Sequence, residues 1–440
     1  MVFVKQENSL PGSDTRHGEG ENSRATELVR QTLAVVLAGG RGTRLDGLTA
    51  WRAKPAVPFG GKFCIIDFTL SNCVNSGIRR VGICTQYRAQ SLIRHVHRGW
   101  SFLDGRLNEF IELLPVQQRE TAEWYRGTAD AIYQNTGFLR RHAPKHVLVL
   151  AGDHVYKMDY SRMLTEHVER GAEVSIACVE APLAQSKEFG VITVDERGRV
   201  LRFDEKPEGP PPLPGRGDSI LASMGIYVFE TECLVALLEA DAADPASVHD
   251  FGHDILPKLP ASGRRVYAHE FVKSCVNVAN GVPYWRDVGT LDSYWEANLD
   301  LVRVSPDLNL YDRAWPIWTY QEQLPPAKCV FDEDDRRGTI LDSMVSGGCI
   351  VSGSIVRGSI LFSSVHLHSY SLVETSVVLP DVEIGRHCVI RRAIIDKHSN
   401  VPPGTRIGVD PAEDRQRFSV SEKGITLVTP EMFGQKVHDR

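Results

Sequence analysis

Hydrophobic residues follow two different patterns along the chain. Between about residue 33 and residue 302, short apolar runs alternate with segments whose apolar residues recur at helical spacing. The apolar runs predict buried strands at LAVVLA, VGICT, HVLVLAGD, EVSIACVE, SMGIYVF and RVYAHEF. The segments SLIRHVH, DYSRMLTEHVERG and LDSYWEANLDLV predict helices. This alternation predicts an α/β domain with a mainly parallel sheet, in which ligands bind beyond the carboxyl ends of the strands.

After about residue 345 the helical spacing is lost. Aliphatic residues now recur mostly every five to seven positions, with small or polar residues between them. Short rungs that each bury one aliphatic side chain would stack as a parallel β-helix. An irregular β-sandwich is the alternative, and the persistence of the spacing favours the β-helix. The aliphatic series is Val345, Ile350, Ile355, Ile360, Val365, Leu372, Val378, Ile384, Ile390, Ile395, Val401 and Ile407.

The two patterns divide the chain into four parts. Residues 1–31 are polar and lack the apolar centre of a signal peptide, so they are expected to form a flexible tail. Residues 32–302 form the first domain, and residues 345–440 form the β-helix domain. Residues 303–344, which include LPPAK and FDEDDRRG, are expected to be a linker. Within the first domain, the proline-rich stretch EKPEGPPPLPGRGD (205–218) predicts an irregular loop.

Composition and charge narrow the classes of function. The formal net charge is −6, so a general affinity for nucleic acid is not expected. No apolar run approaches the roughly 20 residues that span a bilayer, so no membrane segment is expected. Nine cysteines are dispersed without a C-x-x-C pair. This usage predicts reduced thiols in the cytoplasm rather than disulfides or a zinc site.

The stretch GGRGTRLDGLTAWRAKP directly follows the first predicted strand. Its glycines let the backbone approach a ligand closely, and four cations, Arg41, Arg44, Arg52 and Lys54, surround the same turn. A dinucleotide fingerprint is excluded because its third glycine is replaced by Leu45, and the P-loop Gly-Lys-Ser/Thr is absent. A glycine-rich turn with solvated arginines is the alternative. The number of cations favours a polyphosphate site, with Gly39 and Gly40 contacting the nucleotide.

Several motifs together carry a resemblance to a known family. LAGGRGTRLDGLT, RAKPAVPFGGK and IIDFTLSNCVNSGI resemble the signature of sugar-1-phosphate nucleotidyltransferases. WYRGTADAIYQN, LAGDHVY, FGVI, FDEKP, SMGIYVF and PYWRDVGTLDSYWEAN narrow the resemblance to the glucose-1-phosphate adenylyltransferase family, from residue 33 to about 417. The resemblance implies a Rossmann-like domain followed by a left-handed β-helix. It also implies a Mg²⁺-dependent reaction of ATP with α-D-glucose 1-phosphate that yields ADP-glucose and diphosphate for glycogen synthesis, in a homotetramer.

Nucleotidyl transfer needs charge neutralisation between two polyanions. Asp153 directly follows the strand HVLVLAG and is a candidate ligand for a hard cation; a turn-capping aspartate is the alternative. Asp287 is the second candidate, although Arg286 beside it could make a structural ion pair. By resemblance the two aspartates hold Mg²⁺. Arg41 is the first candidate for the β- and γ-phosphates, because a guanidinium binds phosphate bidentately, and Arg44 and Lys54 follow.

The resemblance also assigns residues to the sugar and the base. Lys206 in FDEKP corresponds to the lysine that holds the sugar phosphate, Glu205 and Ser223 would bind sugar hydroxyls, and Gly190 would let the sugar pack against the backbone. Gln86 ends the strand VGICTQ, and its amide can both donate to and accept from an adenine edge. The motif WYRGTADA adds Tyr125, Gly127 and Thr128 to the nucleotide site, although Tyr125 could equally be a core aromatic.

The chain departs from the family pattern near the site that binds metabolite effectors. Trp51 replaces a basic residue, Pro58 stands where a histidine can stand, and Cys64 replaces a common arginine. Arg52 remains as an allosteric candidate. These replacements predict altered or weakened activation by sugar bisphosphates.

Three rival functions stay open at this point. The first is a UTP- or dTTP-dependent enzyme acting on the same sugar phosphate. The second is a regulatory subunit without activity, which should have lost a metal carboxylate or a phosphate-site cation. The third is an acyltransferase whose β-helix supplies a catalytic histidine from among His366, His368, His387 and His398.

Overall fold

A nine-stranded sheet forms the centre of the first domain. The computed structural model describes residues 25–40, 42–116, 124–213, 217–277, 282–333 and 335–436. The sheet has the order β10-β9-β11-β6-β1-β4-β5, and β8 pairs with β11 and carries β12 on its other edge. Its strands are β1 Thr32–Leu37, β4 Arg80–Thr85, β5 Phe110–Pro115, β6 His146–Ala151, β8 Val174–Pro182, β9 Gly190–Val194, β10 Val200–Glu205, β11 Ser219–Glu230 and β12 Val266–Glu270.

One half of this sheet is parallel. β6, β1, β4 and β5 run in the same direction, with Val35 opposite both Gly82 and Val149. β11 is antiparallel to β6, β8 and β9, so the other half is mixed. The parallel-rich sheet predicted from strand–helix alternation is confirmed, and its parallel half brings the ends of β1, β4 and β6 to one edge. Two short ribbons lie beside it, formed by β2 Pro58–Phe59 with β3 Phe63–Cys64 and by β7 His154–Tyr156 with β13 Trp285–Asp287.

Helices cover both faces of the sheet, and two apolar clusters lie under them. One cluster surrounds Val149 and Phe229, and the other surrounds Leu148 and Tyr156, because neighbouring strand residues point to opposite faces. The three helices predicted from spacing are present. The helices of the first domain are α1 Ile65–Asn75, α2 Gln90–Gly99, α3 Thr128–Tyr133, α4 Thr136–His142, α5 Tyr160–Glu169, α6 Thr231–Ala242 and α7 Leu291–Asp300.

The second domain is a parallel β-helix, as predicted. Three stacks of short strands run along it: β14-β19-β22-β25-β28, β17-β20-β23-β26-β29 and β18-β21-β24-β27-β31-β30. The helix α8 Pro411–Arg417 follows the last rung. The strands are β14 Lys328–Val330, β15 Asp332–Glu333, β16 Arg336–Arg337, β17 Thr339–Leu341, β18 Met344–Val345, β19 Ile350–Ser352, β20 Ile355–Arg357, β21 Ile360–Leu361, β22 His366–Leu367, β23 Leu372–Glu374, β24 Val377–Val378, β25 Glu383–Ile384, β26 Val389–Arg391, β27 Ala393–Ile395, β28 Asn400–Val401, β29 Arg406–Ile407, β30 Ser419–Val420 and β31 Thr426–Val428.

The buried residue of some rungs differs from the expected one. Ile355 is 40% exposed, and its neighbour Val356 is completely buried instead. The same shift by one position places Val351 and Val373 in the core. Both residues of each pair are aliphatic, so the spacing could not tell which of them faces inward.

Serine hydroxyls connect successive rungs of the β-helix. The Ser359 hydroxyl accepts a hydrogen bond from the Ser376 N–H, and the Ser376 hydroxyl accepts one from the Ala393 N–H, each 17 residues further along. A parallel series joins Ser354 to Ser371 and Ser371 to Cys388 at the same separation. These hydroxyls supply hydrogen-bond acceptors to backbone N–H groups that would otherwise be buried without a partner at the corners of the β-helix.

The borders of the domains differ from those expected. β14 and β17 lie within residues 303–344 and pair in parallel with β19 and β20, so the coil begins before residue 345. At the other end, residues 25–30 are helical and bury Leu28 and Val29, although they fall within the expected tail. Residues 1–24 lie outside the described part of the chain. A shared apolar cluster joins the two domains, with Phe59, Tyr294, Ile360, Phe362, Leu379 and Leu427 among its members.

Candidate active site

A cleft of about 580 Å³ opens where β1, β4 and β6 end. The parallel half of the sheet therefore delivers its loops to one place, as the rule for open α/β sheets predicts. Of the predicted site residues, Asp287 contacts Lys54, which lines the cleft. Gly190, Ser223 and Lys206 do not line the cleft. Arg41 lies outside the described residues. The predicted site residues on the wall are Gly39, Gly40, Arg44, Lys54, Gln86, Tyr125, Gly127, Thr128, Asp153 and Glu205.

The glycine-rich bend forms the wall of the cleft after β1. A Cβ atom built on Gly40 would meet no described protein atom within 4 Å, and its backbone angles do not require glycine. Protein packing therefore does not explain this glycine. Gly42 adopts a φ of 60°, where glycine is favoured, and begins the 3₁₀ turn Thr43–Thr49. The Arg44 guanidinium is mostly exposed, and its Nη2 lies 3.7 Å from Asp287 Oδ2.

Lys54 lies between the two predicted metal-binding carboxylates. Its Nζ donates hydrogen bonds to Asp153 Oδ2 at 2.9 Å and to Asp287 Oδ1 at 2.8 Å. Burial lowers the pKa of Lys54, but Asp153 and Asp287 outweigh that effect and raise the pKa above its ordinary value. Burial raises the pKa of Asp153, but Lys54 and His154 outweigh it and hold the pKa below its ordinary value. Lys54 and Asp153 are therefore charged together at neutral pH.

The two carboxylates also fit a divalent cation. Each of Asp153, His154 and Asp287 offers a ligand atom, and these atoms lie within 4.8 Å of one another. The second oxygens of the carboxylates are less engaged: Asp153 Oδ1 is 3.6 Å from His154 Nε2, and Asp287 Oδ2 faces Arg44 at 3.7 Å. Oxygen ligands from one or two carboxylates, completed by phosphate and water, suit Mg²⁺. The donor set therefore fits the predicted metal.

Gln86 and Tyr125 bind each other across the cleft. The Gln86 side-chain amide accepts from the Tyr125 N–H at 2.6 Å and donates to the Tyr125 carbonyl at 3.3 Å. The Tyr125 ring points into the core, where its hydroxyl donates to Leu114 O and accepts from Asn135 Nδ2. In this structure the Gln86 amide therefore fixes the loop that contains Tyr125. The Tyr125 side chain is a core aromatic, which was one of the two alternatives in the sequence analysis.

Gly127 and Thr128 are held against a loop that the sequence analysis missed. A Cβ atom on Gly127 would lie 2.2 Å from the His249 carbonyl oxygen, so the backbone itself needs this glycine. The Thr128 hydroxyl donates to Asp250 Oδ2 and accepts from the Phe251 N–H. Asp250 carries no motif beyond an aspartate before Phe-Gly, which is a weak signal for a helix-capping turn. Wall residues that were not predicted include Arg126, Gly225, Tyr227, Asp250, Phe251 and Gly252.

The predicted sugar-binding residues lie along β9, β10 and β11. Glu205 ends β10 on the cleft wall, and the Lys206 Nζ lies 3.1 Å from Glu205 Oε1. Lys206 has a φ of 47°, an unusual conformation for a lysine. Gly190 pairs with Glu205, and a Cβ atom there would lie 2.4 Å from the Phe203 ring. Ser223 is buried on β11, with its hydroxyl 3.5 Å from that of Tyr227.

Arg52, the predicted effector-binding residue, is engaged in a buried ion pair between the domains. Its Nη1 and Nη2 donate to Asp396 Oδ1 at 2.7 Å and Oδ2 at 2.9 Å, and both side chains are 3% exposed. The guanidinium is thus committed to the β-helix in this structure, which the sequence analysis did not foresee. Trp51 beside it is exposed and donates from its indole to Glu431.

Two family models match the chain. One, described as nucleotidyl transferase, covers residues 33–303, and the other, described as GlmU-like C-terminal hexapeptide, covers residues 325–428. Together with the cleft, these matches define the chain as a nucleotidyltransferase with a hexapeptide-repeat domain. The second match begins with the rungs that lie before residue 345.

Full-length relatives identify the family more closely. The glucose-1-phosphate adenylyltransferase of Nitrosomonas europaea is 62% identical over 412 residues, which cover 93% of this chain and 95% of the relative. The enzyme of that name from Dechloromonas aromatica is 62% identical over 411 residues, 93% of each chain. That from Paramagnetospirillum magneticum is 58% identical over 419 residues, 95% and 97% of the two chains. The chain belongs to the glucose-1-phosphate adenylyltransferase family, which confirms the resemblance.

Proposed function

We propose that this chain transfers the adenylyl group of ATP to α-D-glucose 1-phosphate, producing ADP-glucose and diphosphate for glycogen and related α-glucan synthesis. The observation that carries the proposal is the cluster of Lys54, Asp153 and Asp287 at the edge of the glycine-rich cleft. A lysine and two carboxylates at one point provide both a cation and ligands for a second cation. Two polyanionic substrates that meet there have their mutual repulsion neutralised.

A divalent cation, which we propose is Mg²⁺, would be held by Asp153 and Asp287. When bound it would stabilise negative charge on phosphate oxygens. Lys54 orients both carboxylates through its hydrogen bonds and is itself available to a phosphate oxygen that enters the cluster. Arg44 and, by resemblance, Arg41 would neutralise the departing diphosphate. No nucleophilic side chain is needed, because the sugar phosphate attacks the α-phosphorus directly.

The glycine-rich bend would place the triphosphate. Gly40 has open space beside its Cα among the described residues, so a side chain there would enter the cleft rather than clash with protein. Gln86 and Thr128 would border the base from the loop ends that they fix. Lys206, Glu205, Gly190 and Ser223 would contact the sugar phosphate, as the resemblance implies, on the side of the cleft formed by β9, β10 and β11.

A direct assay tests the activity and its nearest rival. Purified protein would receive glucose 1-phosphate, Mg²⁺ and one nucleoside triphosphate at a time, with diphosphate release measured. We expect ATP to support turnover well above UTP or dTTP. Dominant turnover with UTP or dTTP would replace this proposal with the rival, and no turnover with any nucleotide would favour a regulatory subunit. Acetyl-CoA turnover, which we do not expect, would support the acyltransferase.

A matched pair of variants tests the metal site. Asp153→Asn removes a ligand charge at constant size, and Asp218→Asn makes the same change in an exposed residue that does not line the cleft. We expect Asp153→Asn to lose more than about 100-fold in kcat, since one electrostatic contact in a reacting site contributes on this scale. ATP binding should persist in part, and Asp218→Asn should match the parent. Equal activity of both variants would overturn the assigned role of Asp153.

The proposal also covers the assembly, the regulation and the location of the protein. By resemblance we propose a homotetramer, for which the exposed flank of the β-helix offers a packing surface. Fructose 1,6-bisphosphate should activate weakly, because Trp51, Pro58 and Cys64 replace ionisable residues and Arg52 is paired with Asp396. Strong activation at micromolar concentration would contradict this.

The nine cysteines are all free thiols, in line with the proposed cytoplasmic location. Among described residues, no helix is long and apolar enough to cross a membrane.

A further inference from the structure

A second cavity, of about 700 Å³, lies between the first domain and the β-helix, and no described residue lines both this cavity and the nucleotide cleft. Cys64 is on its wall and is half-buried. Cationic side chains outnumber acidic ones on the wall of this cavity. The cationic residues are Lys62, Arg94, Arg98, Lys397 and Arg52, of which Arg52 is paired with Asp396, and the acidic residues are Glu322 and Asp381.

Cys64 belongs to a Cys–His–Asp arrangement. His95 Nδ1 lies 3.6 Å from Cys64 Sγ, and His95 Nε2 lies 2.6 Å from Asp67 Oδ1. Asp67 is completely buried and also accepts hydrogen bonds from the Trp100 indole at 2.9 Å and from the Cys64 N–H at 2.8 Å. The aspartate is therefore fixed from three sides and orients the imidazole toward the sulfur.

Two sources of positive charge lie beside the sulfur. Cys64 is the N-cap residue of the eleven-residue helix α1, so it lies at the positive end of the helix dipole. His95 supplies a second positive charge. Burial lowers the pKa of His95, but Cys64 and Asp67 outweigh it and raise the pKa to about 11. An imidazolium beside a sulfur at a helix start is the setting of reactive thiols.

The other cysteines have the opposite environment. Burial raises the pKa of Cys84 and Cys178 to about 12 and that of Cys233 to about 11. Cys329 is exposed, but its pKa is also raised, and no histidine contacts its sulfur within the described residues. The accessible thiols of Cys64 and Cys329 therefore differ in their surroundings, so Cys329 serves as the control for Cys64.

We propose that Cys64 is a modification site for small anionic disulfides. In the exchange step the Cys64 thiolate attacks one sulfur of the disulfide, and a new S–S bond forms as the original one breaks. The departing sulfur leaves with the electron pair as a thiolate and takes a proton from water, so the cysteine is oxidised and the leaving sulfur is reduced. The cationic wall would attract carboxylate-bearing disulfides, and the cavity holds the attached group. His95 acts as a positioning residue.

Labelling the intact native protein tests this site without using its enzymatic activity. The probe is dithiobis(nitrobenzoate), whose released thiolate is measured by absorbance, and the labelled residue is identified by peptide mapping. We expect a fast phase of one equivalent that Cys64→Ser abolishes and Cys329→Ser retains. Serine preserves an N-cap, so the first variant should fold. A fast phase that survives Cys64→Ser, or labelling of Cys329 before Cys64 in the parent, would overturn the proposal.

The role of His95 and of the wall charges is tested separately. His95→Gln should slow the fast phase at least tenfold at neutral pH and shift its rate profile to higher pH, whereas a structural role alone would not shift the profile. The neutral bis(hydroxyethyl) disulfide should react more slowly than the anionic probe and show less dependence on salt. An unchanged pH profile in His95→Gln would overturn the role assigned to His95. The charged or titratable residues that line the cavity are Arg52, Lys62, Arg94, His95, Arg98, Tyr311, Tyr320, Glu322, Asp381 and Lys397.

Discussion

The buried pair between Arg52 and Asp396 should hold the two domains together. Its two hydrogen bonds measure 2.7 and 2.9 Å, and each side chain is 3% exposed, so solvent does not screen it. Asp396→Asn keeps the size of the side chain but leaves the Arg52 charge without its counter-ion. Removing one partner of such a buried pair costs about 3–5 kcal/mol. Replacing both charges with apolar groups, in Arg52→Met with Asp396→Leu, should return to within about 2 kcal/mol of the parent.

Urea unfolding of the full chain, followed by tryptophan fluorescence, measures these effects. The four proteins of the cycle are the parent, Arg52→Met, Asp396→Leu and the double variant, and Asp396→Asn is measured beside them. The coupling free energy of the cycle is expected to exceed about 2 kcal/mol. Activity provides a second readout, because Lys54 follows Arg52 by two residues and reaches both site carboxylates. Single variants within about 1 kcal/mol of the parent, or additive effects in the double variant, would refute the reasoning.

Three further changes test individual features of the first domain. Neither ring nitrogen of the buried His146 has a hydrogen-bond partner among described residues, and burial lowers its pKa to about 4. Its folded pKa is below the unfolded value of about 6.5. Protonation of this residue in the unfolded state should therefore cost about 2 kcal/mol of stability between about pH 7 and pH 5. Urea unfolding at the two pH values should show a loss that is about 2 kcal/mol smaller in His146→Phe than in the parent. Gly127→Ala should cost more than about 3 kcal/mol, because its Cβ would clash with the backbone of His249, and a normal unfolding midpoint would contradict this. Gly40→Ala should leave the midpoint unchanged but raise the KM for ATP at least tenfold, whereas Gly137→Ala, equally open but far from the cleft, should not change KM.

The strands and helices of the first domain could be predicted because the pattern of buried residues is visible within each segment of the sequence. HVLVLA is buried along β6, and α5 buries Met163 and Leu164 on one face, so period and composition were sufficient. The first rungs of the coil could not be predicted in this way. β14 contains the exposed Lys328 and Cys329, and none of the three residues of β17 is buried, so neither strand shows a burial pattern.

The candidate site was predictable as a set of residues but not as a network. Asp153 could be placed at a strand end from sequence, and it lies there. The bridging position of Lys54 depends on carboxylates 99 and 233 residues further along, and the pair of Arg52 with Asp396 spans 344 residues. Such contacts follow from tertiary packing, to which a local pattern has no access. The hydrogen bond between the Gln86 amide and the Tyr125 backbone is another contact that no local pattern shows. The sequence indicates that this amide can donate and accept, but it does not indicate whether the partner is a base or a peptide group.

The serine hydroxyls that connect successive rungs restrict how the β-helix domain can change in length. An insertion within one rung would separate the serine hydroxyls before it from the N–H groups after it that they bind, whereas adding or deleting a complete turn of about 17 residues keeps this pattern of bonds. The coil can therefore grow or shrink only in whole steps of about 4.8 Å, the spacing of neighbouring strands. Any surface docked against the end of the coil would be displaced by multiples of that distance.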